Sequence, residues 1–157
     1  MVILFEEHKL FLEKLLKAEV EFILVGGYAV NFYGYNRPTG DMDVWLNPTK
    51  DNQQKIIALF RNEGYSDESI LQIESLDFTK HLAFHIGKDP FRIDFLNFIQ
   101  GVSFAEAKLQ QQLLPFKDKF VPVLHLHHLV ISKTNTDRLK DKADIEELQK
   151  INRKKNS

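Results

Sequence analysis

Asp41 and Asp43 are one residue apart, and in an extended segment that spacing sends both carboxylates to the same face. Two like charges held that close call for a cation. A hard divalent ion such as Mg²⁺ or Mn²⁺ accepts a pair of carboxylates and keeps places for water and phosphate oxygens. The pair alone is a weak signal, since 11 Asp in 157 residues give about 0.8 Asp-x-Asp pairs by chance. Asp94 strengthens it: in Phe91-Arg92-Ile93-Asp94-Phe95-Leu96 the apolar residues alternate with Arg92 and Asp94, so a third carboxylate projects from another strand of the same sheet. Three Asp so placed suit two metal ions about 4 Å apart, one at an attacking oxygen and one at a leaving pyrophosphate. Gly26-Gly27 ends an apolar run and opens a helix, where backbone N–H groups and the helix dipole face a phosphate at close range. The chemistry these residues describe is transfer of a nucleoside monophosphate from an NTP to a hydroxyl. Asp41 and Asp43 hold the metal, Asp94 completes the site and assists deprotonation, and Gly26 and Gly27 carry the phosphates.

Other candidates have a structural reading beside the functional one. Arg37 and Thr39 precede the carboxylate strand, where a guanidinium either binds a triphosphate bidentately or closes a turn on a nearby acid. Arg138 and Asp141 have the spacing of a helical ion pair. His125, His127 and His128 cluster, but no cysteine supports a metal site there, and they read as polar residues at a strand-to-helix junction. His81 and His85, four apart, read as face residues of one strand. Tyr28 and Trp45 read as buried aromatics rather than a platform for a base.

The elements that must position these residues follow from periodicity. Leu4 to Val20 carries an apolar stripe of Leu4, Phe5, His8, Phe11, Leu12, Leu15 and Leu16, an amphipathic helix. Phe22-Ile23-Leu24-Val25 is continuously apolar, a strand buried on both faces. A short helix over Tyr28 to Tyr33 ends at Gly34, and Asp41 to Leu46 alternates acid and apolar residues as a strand with one wet face does. Pro48-Thr49 starts a helix through Phe60 that Gly64 ends. His81 to Ile86 and Phe91 to Phe98 form a hairpin about Gly87-Lys88-Asp89-Pro90. A short helix over Phe104 to Leu109, a hairpin about Lys117-Asp118-Lys119, and helices over His125 to Ser132 and Thr136 to Ile151 complete the chain. The order predicts an α+β domain, a mixed sheet with helices packed on it. It is one domain over 1–157, with a catalytic core at about 20–100 and a C-terminal hairpin and helices at about 101–151.

Val25-Gly26-Gly27, thirteen residues, Asp41-Met42-Asp43-Val44 and a later Asp94 together resemble the signature of the DNA polymerase beta-like nucleotidyltransferase superfamily. The stretch from Gly26 through Arg37-Pro38-Thr39-Gly40 to Asp43, with Lys133, Arg138, Lys140-Asp141 and Asp144, is similar to the branch holding the abortive-infection nucleotidyltransferase toxins and uncharacterised bacterial relatives. The resemblance spans about Phe22 to Leu148. It implies a nucleotidyltransferase-like mixed sheet, an NTP substrate and Mg²⁺. It implies Lys133 facing the nucleotide phosphates, an acceptor that is a tRNA, a protein or a small molecule, and a toxin-antitoxin or phage-defence role. Those toxins carry a larger C-terminal helical region, so a second copy or the product of a neighbouring gene is the expected partner. A nucleotide-binding or protein-interaction module of the same fold without turnover is the alternative.

Composition removes competing classes. Absence of cysteine excludes disulfides, thiolate zinc sites and cysteine nucleophiles. A net charge of -1 gives no global pull toward nucleic acid or anionic lipid, and only residues 133–157, with 8 basic and 5 acidic side chains, offer a local attraction for RNA. The Lys150–Lys155 end of that stretch reads as a frayed tail. Val2 to Phe5 is too short an apolar stretch for an export signal, and with no transmembrane-length run the expected location is the cytoplasm. Thirteen Phe predict a ring-filled core and allow an exposed apolar patch for a partner.

Overall fold

Phe22–Val25 form β1, and all four residues are buried, as a continuous apolar run between Glu21 and Gly26 requires. The computed structural model describes residues 4–134, 136 and 138–155, so Val2 and Ile3 of the N-terminal apolar stretch lie outside the described residues. Ahead of β1 runs α1 (Glu6–Lys17), which buries His8, Phe11, Leu12 and Leu15. The chain then passes through α2 (Gly26–Phe32), β2 (Met42–Leu46), α3 (Lys50–Asn62), α4 (Asp67–Glu74), β3 (Ala83–Ile86) and β4 (Ile93–Leu96). It ends with α5 (Phe104–Gln110), β5 (Gln112–Phe116), β6 (Lys119–Val123), α6 (Leu126–Lys133) and α7 (Leu139–Lys155). No helix of the described residues is long and apolar enough to cross a membrane.

The strands form one six-stranded mixed sheet in the order β3-β4-β2-β1-β6-β5. β1 is antiparallel to β2 and parallel to β6, β2 is parallel to β4, and the β3–β4 and β5–β6 pairs are antiparallel hairpins. Alternation along the strands sorts the side chains onto two faces. Leu24, Val44 and Phe95 lie in register on one face, under α1 and α3, where Phe11 and Phe60 meet Phe95 at ring-centroid distances of 5.8 and 6.2 Å. Asp43, Asp94, Trp45 and Leu96 lie on the other.

Four features depart from the sequence reading. α4 was not anticipated. Its sequence, DESILQIE, is polar and short, and it is held by Ile70 and Ile73 and by Gln53 of α3, whose amide donates to the Ile73 and Leu76 carbonyls at 2.9 Å each. β2 does not have one wet face along its length: Trp45 is buried because Phe104 of α5 packs edge-on against it at 5.2 Å, so the face is open only near Asp43. His81 lies before β3, and its ring stacks on Phe98. Lys150–Lys155 is the last part of α7 and is helical.

Candidate active site

β2 lies beside β4 with Asp43 opposite Asp94, and β3 continues the row by placing His85 opposite Asp94. Cross-strand partners share a face, so the carboxylates that are 51 positions apart in the chain are neighbours in space. Asp41 precedes β2 and belongs to the same group. Its carboxyl is raised above the ordinary range by partial burial, by the charge of Asp94, and by Asp89, whose side chain hydrogen-bonds to it. Asp43 is pushed further, to about 6, first by burial and then by Asp94 and Asp41, with Lys140 and Lys133 pulling the other way. Charge repulsion among three carboxylates is therefore a built-in property of this end of the sheet.

The glycines have specific work. Gly26 adopts a φ of +66°, and a Cβ placed on it would stand 2.0 Å from Asp43 Oδ2. A Cβ on Gly27 would stand 2.1 Å from Thr39 Oγ1, with Arg37 Nη1 at 3.4 Å. The pair lets the loop carrying Arg37 and Thr39, and the Asp43 carboxylate, close onto the β1–α2 turn. Behind this turn Tyr28 of α2 is hydrogen-bonded to the buried His8 of α1 at 2.6 Å.

A second charged network faces the first. Arg37 donates through Nε and Nη2 to the two carboxylate oxygens of Asp144, at 2.7 and 2.9 Å. Lys133, buried at the end of α6, reaches Asp144 at 3.0 Å and Asp141 at 3.3 Å, and Arg138 pairs with Asp141 as its spacing requires. Asp144 is completely buried. Burial pushes its carboxyl up, but Arg37 and Lys133 outweigh that and hold it below the usual carboxylate range.

The structure thus brings Asp41, Asp43, Asp94, Gly26, Gly27, Arg37, Thr39 and Lys133 to one region. Arg37 and Lys133 are occupied by acids of α7 rather than offered freely to solvent. Three residues of the site were not picked out as such from sequence. Asp89 comes from the β3–β4 turn, where a turn-former hides its proximity to Asp41. Arg92 pairs with Asp94 at 2.8 Å, and its two-residue spacing from Asp94 in the alternating run is the signal that marks it. Asp144 becomes central only because α7 packs back on the site. His125 caps α6 by accepting from the His127 N–H, a structural role.

Among the described residues no group of three or more His, Cys, Asp or Glu side chains stands as a ready-made metal cage. Arg92 holds Asp94 in an ion pair, and the charge of Asp89 adds to the crowding at Asp41. The donor set nevertheless fits a hard cation. It consists of carboxylate oxygens alone, and it includes one carboxylate whose ionisation burial and like charges oppose.

The sheet and helices are those of a nucleotidyltransferase. They superpose on a lincosamide antibiotic adenylyltransferase, LnuA, in its lincomycin-bound structure, with a TM-score of 0.59 at 15% identity, covering 96% of this chain and 99% of that one. They also superpose on an antigenic nucleotidyltransferase-like protein from Paracoccidioides brasiliensis, with a TM-score of 0.53 at 10% identity, covering 91% of this chain and 72% of that one. No curated protein matches by sequence. The chain belongs to the family described as nucleotidyl transferase of unknown function (DUF2204), which matches residues 5–157.

Proposed function

We propose that the protein moves a nucleoside monophosphate from an NTP to a hydroxyl of a small organic acceptor, using Asp41, Asp43 and Asp94. The observation that carries this reading is the register that sets Asp94 against Asp43, with Asp41 in electrostatic contact with Asp94. The small-molecule class of acceptor is supported by the LnuA structure, which covers nearly the same length and is described as bound to lincomycin.

The acceptor oxygen attacks the α-phosphorus. A new P–O bond forms as the bond from that phosphorus to the α–β bridging oxygen breaks, and pyrophosphate leaves. The acceptor's proton passes to the Asp94 carboxylate and then to water. Asp41 and Asp43, with Asp94, are the residues that would hold Mg²⁺ or Mn²⁺; such an ion supplies neutralisation of triphosphate charge and a more acidic hydroxyl. The Gly26–Gly27 turn and the Thr39 loop border the phosphates. Arg37 and Lys133 bind them directly only by loosening from Asp144, and otherwise act by fixing the turn.

The test incubates the purified chain with each α-labelled NTP and Mg²⁺, in separate arms with lincomycin and other hydroxyl-bearing antibiotics, total tRNA, and cell lysate. Label on a small molecule, lost in Asp43→Asn, is the expected result. Label on tRNA or protein reassigns the acceptor and favours a toxin or defence role. Nucleotide binding with no transfer in any arm identifies a non-catalytic module. Association with a second copy or another protein is part of the same proposal, since Leu109, Leu113 and Phe120 are exposed, and light scattering on the pure chain reads it directly.

A further inference from the structure

The two sides of the carboxylate row differ. Toward β1, the row is closed by Gly26, Gly27, the Arg37 loop and the ends of α6 and α7. Toward β4 and β3 it is open: His85 and Ala83 are exposed, and Asp94 and Leu96 are half-buried. Along this open face the next row in register is Trp45, Leu96 and Ala83. Beyond it His81 lies flat on Phe98, ring centroids 3.5 Å apart and 14° from parallel. Phe98 is 42% exposed.

At this end of the face a cavity of about 360 Å³ is lined by Trp45, Lys80, His81, Phe98, Ser103 and Phe104, among others. Its size is that of a pocket for a small organic ligand, and its lining sets the rings of Trp45, His81, Phe98 and Phe104 among apolar and uncharged polar residues, with Lys80 supplying positive charge. The buried indole N–H of Trp45 meets no acceptor among the described residues. One row, that of Leu96, lies between Asp94 and the His81–Phe98 stack; four residues at about 3.3 Å each put the two at most about 13 Å apart, within the length of a two-ring molecule bearing a hydroxyl arm.

We propose that this cleft is a binding site for a flat, ring-bearing, neutral or anionic small molecule. Given the transfer reaction inferred above, on which this last step rests, it seats the body of the acceptor while the acceptor's hydroxyl reaches Asp94. The triphosphate then lies on the β1 side and the acceptor on the β4 side, and the two meet at the carboxylates. An aromatic pair left facing solvent beside a cavity gains by stacking on such a ring.

The experiment titrates the full chain with 8-anilinonaphthalene-1-sulfonate, a ring-bearing anion, followed by fluorescence. Phe98→Ala and His81→Ala each weaken the dye by about tenfold, the scale of one lost aromatic contact. His81→Phe retains it, and Asp43→Asn and Phe120→Ala leave it unchanged. Both alanine positions are partly solvent-facing, and unchanged melting temperatures confirm that the fold survives. In the transfer assay, Phe98→Ala raises the acceptor KM with kcat and the NTP KM kept. Dye affinity that is the same in wild type, Phe98→Ala and His81→Ala overturns the cleft. Dye loss in these variants alongside a wild type that transfers nothing supports the cleft as a binding site and refutes the transfer reading instead.

Discussion

Asp43 cannot turn away from its neighbours, because β1 and β4 fix its backbone on both sides. Its carboxyl, raised to about 6 against an ordinary 3.8, binds a proton more readily in the folded chain than in the unfolded one. The stability this gives is full below about pH 4 and is lost as pH rises through about 6. Asp43→Asn removes the penalty. In chelator at pH 8 the variant is more stable than wild type by about 1–3 kcal/mol, and the gap closes as the pH is lowered to 4. Urea unfolding across that range measures it, and a less stable variant at pH 8 contradicts the picture. Transfer by the same variant falls by at least about 100-fold. Gly26→Ala strikes the same group from the other side. A methyl 2.0 Å from Asp43 Oδ2, on a backbone at φ +66°, costs about 1–3 kcal/mol and displaces the carboxylate. Gly40→Ala, where a Cβ meets nothing within 4 Å, is the control and leaves activity intact.

Among elements, α7 acts through two buried carboxylates, of which Asp144 is the one that reaches Arg37. Asp144→Asn leaves Arg37 facing a neutral amide and Lys133 with Asp141 as its remaining carboxylate, and costs about 3 kcal/mol near pH 7. Because Asp144 is held below the ordinary range, that contribution is complete above about pH 4 and disappears as pH falls further, so variant and wild type converge in acid. A loss that stays constant down to pH 2 would show that the pairing is not electrostatic. β1 was legible to the residue because Phe22–Val25 is apolar throughout and bounded by Glu21 and Gly26. The β3–β4 hairpin was legible from its turn. α4 was not, since one buried flank of Ile70 and Ile73 makes no stripe in eight residues. Asp41, Asp43 and Asp94 were legible as a set because alternation is local. The Arg37–Asp144 pair was not, because it spans 107 positions and nothing in the spacing of either residue points to the other.

For the whole molecule, ligand linkage gives a global readout of the site. An NTP with Mg²⁺ at about 100 times its Kd stabilises wild type by about 2.7 kcal/mol, and the same NTP with chelator adds little. Asp94→Ala retains a thermal shift with Mg²⁺ and NTP, because Asp41 and Asp43 remain, yet transfers no label, because the acceptor's proton has lost its carboxylate; loss of the shift as well would place Asp94 with the nucleotide instead. The sheet order carries one more consequence. β1, among the first strands made, takes β6 as its parallel neighbour, and Leu124 donates its backbone N–H to Leu24 across 100 residues. On a ribosome the central strand must wait, one edge unpaired, until the last third of the chain has emerged, and the Arg37 loop waits longer still for α7. A nascent chain that stops short of α7 can therefore pair β1, β2, β3 and β4 and align its carboxylates, but it holds the Arg37 loop without the Asp144 carboxylate that fixes it. The last-made helix is thus the one that locks the phosphate-side loop of a site whose carboxylates were paired long before it.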